Sequence, residues 1–392
     1  MKTETIIGEG YTANNRVELI RGGKVYFELL IGLIRKAADT IHLQTYIFEH
    51  DETGIMVANA LIEAAKRRVN VYLLVDGYAS QSLPKSFIRK LTEAGVNFRF
   101  FETFFRTRHF YLGRRLHHKV AVIDTRHALV GGLNVSNKYN EWGEHTAWLD
   151  FALYAEGEIA LQLCVLCWKG WKDFPSIMGL TPCEQKPILF NFPEEEKAQI
   201  RMRRNDWVRR KTDISKTYIE MFDNAESRII IMSSYLLPGK LFRHHLRKAA
   251  QRGIRVTVIT AGRSDVTIAK NAERFWYNWL LRNNIDVYEY SKNILHGKVA
   301  VCDGRWLTVG SFNVNNISTY ASIELNLDVL DKKLAEEAEN TLLGIIQTDC
   351  IRITRTSLHK TTNFLSQFVR WASYQIVNLA FYLFTFYFKH QD

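Results

Sequence analysis

The stretch LHHKVAVIDTRHALVGGLN, residues 116–134, has a second version in LHGKVAVCDGRWLTVGSFN, residues 295–313. Each reads His, one residue, Lys, four residues, Asp, six residues, Gly, two residues, Asn. His117, Lys119, Asp124, Gly131 and Asn134 therefore correspond to His296, Lys298, Asp303, Gly310 and Asn313. On an extended chain residues two apart point to the same side, so each His shares a face with its Lys. One such stretch is an ordinary polar strand edge. Two with the same spacing of five residues are a duplicated constellation. His118 has Gly297 as its counterpart and falls outside the pattern.

Outward from these stretches the repeat continues. ADTIHLQTYIF (38–48) and ANALIEAAKRRVNVYLLVDG (58–77) correspond to ESRIIIMSSYLL (226–237) and RHHLRKAAQRGIRVTVITAG (243–262). Tyr46 matches Tyr235, Leu61 matches Leu246 and Ala65 matches Ala250. Val57, Leu61, Ala64 and Ala65, like Phe242, Leu246, Ala249 and Ala250, recur at helical spacing. Continuous apolar runs follow, VYLLV and VTVIT. Strand–helix–strand order with runs apolar on both faces predicts a mostly parallel, buried sheet in each copy. WLDFALYAEG (148–157) and SIELNLDVL (322–330) close the copies and set Asp150 opposite Glu324. The expected architecture is α/β, with two sandwich lobes related by internal duplication and one active site between them. The lobes span residues 1–190 and 191–350, and residues 351–392 form a C-terminal tail.

Two imidazoles and two ammonium groups around one point suit phosphodiester chemistry. One neutral histidine attacks phosphorus and forms a phosphohistidine. The other, protonated, delivers a proton to the leaving oxygen and then serves as base for the incoming alcohol or water. Lys119, Lys298, Asn134 and Asn313 are expected to hold the non-bridging oxygens. Gly131–Gly132 and Gly310–Ser311 are expected to let backbone approach the phosphate. A histidine in this role needs its other ring nitrogen fixed by an acceptor, and Asp150 and Glu324 are the candidates. Asp124 and Asp303 belong to the motif and are carried in the candidate catalytic set. Their place before the turns DTRH and DGRW marks them as braces of the strand end. No carboxylate cluster suits Mg²⁺ or Ca²⁺, so neither metal nor cofactor is expected.

The doubled motif resembles the signature of the phospholipase D superfamily, over nearly all of residues 15–345. Within it, GGLNVS (131–136), AEG (155–157) and VGSFNVNNIS (309–318) are similar to bacterial cardiolipin synthases, especially the shorter type without N-terminal transmembrane helices. The resemblance implies a bilobal α/β sandwich, one metal-free site and phosphatidyl transfer between two phosphatidylglycerol molecules, giving cardiolipin and glycerol. It also implies His117 as nucleophile and His296 as acid and base. Phe312 and VNNIS depart from the commonest residues there, which leaves the acceptor open. The alternative is a lipid hydrolase or nuclease using water at the same site.

The 392 residues are 47% hydrophobic and 24% charged, which is a globular composition with material for a sizeable core. The formal net charge of +11 implies an anionic partner. Arg106, Arg108, Arg114 and Arg115 lie just before the first motif, and RMRRNDWVRRK (201–211) lies near the join of the copies. Each run reads either as a lipid-phosphate contact or as a solvated face. Residues 372–388 carry no charge and are rich in aromatics, between Arg370 and Lys389. This tail reads as an interfacial element, a helix docked on the core, or a span. It favours an anionic phospholipid and a membrane surface over nucleic acid as partner. Of five cysteines, Cys164 and Cys167 lie on one helix and read as buried free thiols of a reducing compartment. With no apolar run in the N-terminal residues, the expected location is the cytoplasmic face of the cell membrane.

Overall fold

The computed structural model describes residues 10–101, 114–171, 182–183, 188–315, 318–319, 322–360 and 363–389. The first lobe runs β1 (Asn15–Arg21), α1 (Lys24–Lys36), β2 (Thr40–Thr45), α2 (Glu52–Lys66), β3 (Asn70–Asp76), α3 (Lys85–Glu93), β4 (Asn97–Phe101), β5 (Arg115–Leu116), β6 (Lys119–Ile123), β7 (His127–Gly131), β8 (Phe151–Gly157) and α4 (Glu158–Trp171). The second runs β9 (Gln199–Asp206), β10 (Lys211–Thr212), α5 (Asp213–Asn224), β11 (Arg228–Ser233), α6 (Lys240–Gln251), β12 (Arg255–Ala261), α7 (Thr267–Phe275), α8 (Tyr277–Arg282), β13 (Asp286–Tyr290), β14 (Lys298–Cys302), β15 (Trp306–Gly310), β16 (Ser322–Leu330) and α9 (Lys332–Asp349). β17 (Cys350–Ile353), α10 (Arg355–Lys360) and α11 (Phe364–Lys389) complete the chain.

Seven strands of the first lobe lie in the order β1-β8-β7-β6-β2-β3-β4, and the second sheet repeats the core of it as β16-β15-β14-β11-β12-β13. Within the repeated core, among the described residues, only β2–β3–β4 and β11–β12–β13 are parallel. The rest of each repeated core is antiparallel, which corrects the mostly parallel expectation. The reason is local. Residues 124–126 and 303–305 are too short for a crossover and can only turn the chain back on itself. The helices form as their apolar spacing dictates. In α2, Val57, Leu61 and Ala64 are buried, and Asp51 caps the first turn by accepting from Gly54 N.

The two sheets share one core. Val120, Val130 and Leu153 from one sheet join Val299, Val309 and Leu327 from the other, with Leu163 of α4 and Leu342 of α9 in the same buried cluster. β5 leaves the first sheet and pairs in parallel with β16, Arg115 with Ser322 and Leu116 with Ile323. At the matching place in the other repeat, Leu149 forms a parallel bridge with Leu295.

Residues 201–206 lie in a strand of the second sheet, antiparallel to β16, which corrects the solvated-face reading for that part of the run. Arg201 and Arg203 both pair with Asp328 and Glu220. Arg204 and Arg209 pair with Asp206. Arg114 also pairs with Asp206, at 3.1 Å, and Arg115 with Asp76, at 3.8 Å. Arg106 and Arg108 lie outside the described residues. Cys164 is bonded to Cys183, while Cys167 is free and buried. The free-thiol reading fails for Cys164 because a partner 19 residues away is invisible in sequence spacing. The argument for a reducing compartment goes with it.

α11 docks one face on α7. The Tyr374 ring stacks on Phe275 at 4.9 Å and meets Trp276 edge-on at 5.3 Å. α11 also exposes Phe364, Leu365, Phe368, Trp371, Ile376 and Leu379, of which Phe364, Phe368 and Trp371 border a groove with Arg274, Phe275 and Arg355. Among the described residues no helix, α11 included, is long and apolar enough to cross a membrane.

Candidate active site

His117 sits between β5 and β6, and His296 sits just ahead of β14. Each is held by the other lobe. His117 N donates to Ile323 O at 3.1 Å, and His296 N donates to Leu149 O at 2.8 Å. The next residue in each case is the carboxylate that fixes the ring. His117 Nδ1 lies 2.9 Å from both oxygens of Glu324, and His296 Nδ1 lies 2.6 Å from Asp150 Oδ2. The pairs are crossed between the lobes: Asp150 of the first serves His296, and Glu324 of the second serves His117. With Nδ1–H donated to a carboxylate, each Nε2 carries a lone pair.

Lys119 and Lys298 are both buried. Lys119 Nζ donates to His117 O, and Lys298 Nζ donates to His296 O and to Ser234 Oγ, the latter at 3.2 Å. Burial pushes the Lys119 ammonium down to about 7, against Glu324 and with the repulsion of Lys298. It pushes Lys298 down to about 8, against Asp150 and Glu324. Burial also lowers His117, which Glu324 opposes and Lys119 and Lys298 reinforce. His296 is lowered further by burial, Lys298, Lys119 and His117. Groups from both motifs thus sit within one another's field. Burial raises Asp150 to about 7. For Glu324 burial is outweighed by His117, Lys119 and the Ser311 hydroxyl, which hold it below the usual carboxylate range. The site is a buried, cation-rich cluster suited to a phosphodiester anion.

Other motif positions serve the frame. Asp124 accepts from the backbone N–H groups of Ala38, Asp39 and Thr40 at 2.8, 2.8 and 2.9 Å. Asp303 does the same for Glu226, Ser227 and Arg228. Both lie at the far end of their strand from the histidine, seven residues on and about 23 Å away at strand rise. A side chain at Gly131 would meet Phe151 O at 2.5 Å, and one at Gly310 would meet Leu325 O at 2.2 Å. One at Gly132 would meet Asp150 Oδ1 at 2.3 Å. The space these glycines leave is filled by the neighbouring strand and the Asp150 carboxylate, not left open for phosphate. Ser311, in the place of Gly132, donates to Glu324. Asn134 Oδ1 accepts from Ile47 N at 3.1 Å and its amide donates to Tyr139 Oη at 2.9 Å. Among the described residues Asn313 Oδ1 is buried with no hydrogen-bond partner. His118 Nε2–H donates to Gln44 Oε1 at 2.8 Å, and the ring is pushed down to about 3 by burial, which fits its place outside the pattern.

Several neighbours escape the motif. The Tyr46 ring lies edge-on to His117 at 4.9 Å, and Tyr139 Oη lies 3.4 Å from His296 Nε2. Tyr46 was marked only by its recurrence as Tyr235. Tyr139 has no repeated counterpart to mark it. Among the described residues no group of three His, Cys, Asp or Glu side chains is placed to hold a metal ion.

Two duplicated lobes joined through crossed His–carboxylate pairs, each His beside a buried Lys, define a phospholipase D-like protein. The family model described as "Cardiolipin synthase, PLD-like domain" matches residues 30–150 and 218–345. The chain is 33% identical over 356 residues to "Cardiolipin synthase B" of Shigella flexneri, covering 89% of this chain and 84% of that one. The same figures hold for "Cardiolipin synthase B" of Escherichia coli K12. Among solved structures, phosphatidylserine synthase of Haemophilus influenzae shares the fold, with a TM-score of 0.73 at 14% identity over 95% of this chain and 96% of that one. The chain belongs to the cardiolipin synthase family of the phospholipase D superfamily.

Proposed function

We propose that the protein is a cardiolipin synthase that transfers a phosphatidyl group between two phosphatidylglycerol molecules. The observation that carries this reading is the pair of buried imidazoles, each with Nδ1 on a carboxylate of the opposite lobe, set beside two depressed lysines. His117 Nε2 attacks the donor phosphorus. The P–O bond to glycerol breaks, and His296, protonated at Nε2 once the phosphate anion is bound, gives that proton to the glycerol oxygen. The hydroxyl of a second phosphatidylglycerol then gives its proton to His296. Its oxygen bonds to phosphorus as the P–N bond breaks. Two phosphatidylglycerols yield one cardiolipin and one glycerol. Lys119 and Lys298, pushed down to about 7 and about 8 chiefly by burial, become firmly protonated once a phosphate anion lies between them.

The enzyme works as a peripheral protein on an anionic membrane. The exposed apolar stripe of α11 lies in the interface, and the net charge of +11 draws the chain to anionic headgroups. The test is incubation of purified protein with phosphatidylglycerol vesicles. Cardiolipin and glycerol are expected in equal amounts, and His117→Ala is expected to lower the rate at least ~10³-fold. Phosphatidic acid in place of cardiolipin would show water as the acceptor and overturn the synthase assignment.

A further inference from the structure

The two repeats give their histidines unequal walls. The Tyr139 ring stands edge-on to His296 at 5.1 Å with its hydroxyl 3.4 Å from Nε2, and Trp148 closes the same side at 6.1 Å. Both come from the lobe opposite His296. Counting from the paired motif residues, Ser318 stands where Tyr139 does, five residues after the Asn, and Ser322 stands where Trp148 does, two before the carboxylate. Both serine hydroxyls are turned to local partners. Ser318 Oγ accepts from Asn313 N at 3.3 Å, and Ser322 Oγ donates to Glu324 at 2.7 Å. Among the described residues nothing hydrogen-bonds the outer nitrogen of His117. Its side chain is 19% exposed, against 10% for His296.

The hydrogen-bond inventory fixes the direction of the Tyr139 contact. Asn134 Oδ1 takes Ile47 N–H, so its NH₂ faces Tyr139 and donates to the phenol oxygen. In the tautomer whose Nδ1–H is given to Asp150, with Lys298 Nζ 2.9 Å from the same Nδ1, the phenol proton is left for His296 Nε2. Burial keeps that phenol protonated far beyond neutrality. It acts as a fixed donor, not as an acid or base.

We infer that Tyr139 is a positioning residue that distinguishes the two histidines at the reacting nitrogen: it occupies the outer nitrogen of His296, confining that ring to proton transfer and leaving the open His117 to carry the phosphatidyl group. The inference rests on the reaction proposed above. Asp150, Lys298, Lys119, His117, Asp265 and Tyr139 all face His296 and set its titration. Of these, only Tyr139 bonds the reacting nitrogen.

Tyr139→Phe keeps the ring and removes the donor. A bond to the neutral imidazole lowers its basicity, so losing it raises the His296 pKa. The alkaline limb of the kcat profile, which follows the protonated acid, is expected to move up by about 0.5–1 pH unit. The acid limb and KM are expected to stay in place. Tyr139→Ser copies the second repeat. Alkaline quench during turnover, with peptide mapping, is expected to find phosphohistidine at His117 alone in the wild type and at both histidines in this variant. Limbs that do not move in Tyr139→Phe, or wild-type phosphohistidine at His296, would overturn the inference. A wild type that makes neither cardiolipin nor phosphohistidine would instead sink the reaction beneath it.

Discussion

Each reacting imidazole is oriented by one carboxylate, and the two carboxylates are not alike. Glu324 grips His117 with both oxygens and accepts from Ser311 and Ser322, whereas Asp150 offers His296 one oxygen and turns the other to Phe151 N. Glu324→Gln is expected to lower kcat about 10²–10⁴-fold. Glu324 raises the His117 pKa against burial, so its loss should carry the acid limb of the pH–rate profile to lower pH. The aspartates that end the motifs make a contrasting prediction. Asp124→Ala leaves three backbone N–H groups without their acceptor and is expected to cost about 2–4 kcal/mol in urea unfolding, with kcat of the folded fraction near wild type. Asp303 is held below its usual value by the N–H groups of Arg228, Glu226 and Ser227, which outweigh burial. Its folded pKa lies below the unfolded one. Its contribution is therefore complete above about pH 4 and is lost as pH falls through the folded value. Asp303→Asn should flatten the acid side of the stability curve. The sequence made His117, Lys119, His296, Lys298, Asp150 and Glu324 legible because they recur. It did not show that the carboxylates would cross between lobes, since that pairing depends on how the two sheets meet.

Periodicity revealed the elements whose partners lie within one apolar face and hid those whose partners are charged. α2 and α6 follow directly from their apolar spacing. β9 did not, because its arginines read as solvated until Asp328 and Glu220 are seen beneath them. The turns after β6 and β14 decide which strands run antiparallel, and they lie where the eye is drawn to the apolar runs instead. In α11 the aromatic bias was evident, but its division into a docked and an exposed face was not. That division is testable. Phe368→Glu with Trp371→Glu should weaken binding to phosphatidylglycerol vesicles by at least ~10-fold in a flotation assay, with thermal stability unchanged. Tyr374→Ala, which removes the contacts to Phe275 and Trp276, should instead release α11 from α7 and raise its proteolytic sensitivity.

At the scale of the whole chain, the shared core makes the lobes one folding unit. Val130 and Val309 belong to different repeats yet lie in one buried cluster. Calorimetry is expected to show a single transition for the two lobes, with van't Hoff and calorimetric enthalpies in agreement. Two separable transitions would contradict that packing. On that packing we propose that the boundary near residue 190 marks where the duplication was joined rather than where the molecule divides.

The crossed pairs have a further consequence. If lobe A serves the histidine of lobe B while B serves that of A, through matching backbone bonds at Leu149 and Ile323, the relation is reciprocal. That is the geometry of an isologous contact about a twofold axis. A single-repeat chain could assemble the same set of groups by pairing two identical copies through this face. Fusing the copies frees each half to change alone, and Tyr139 opposite Ser318 is a difference no homodimer could hold.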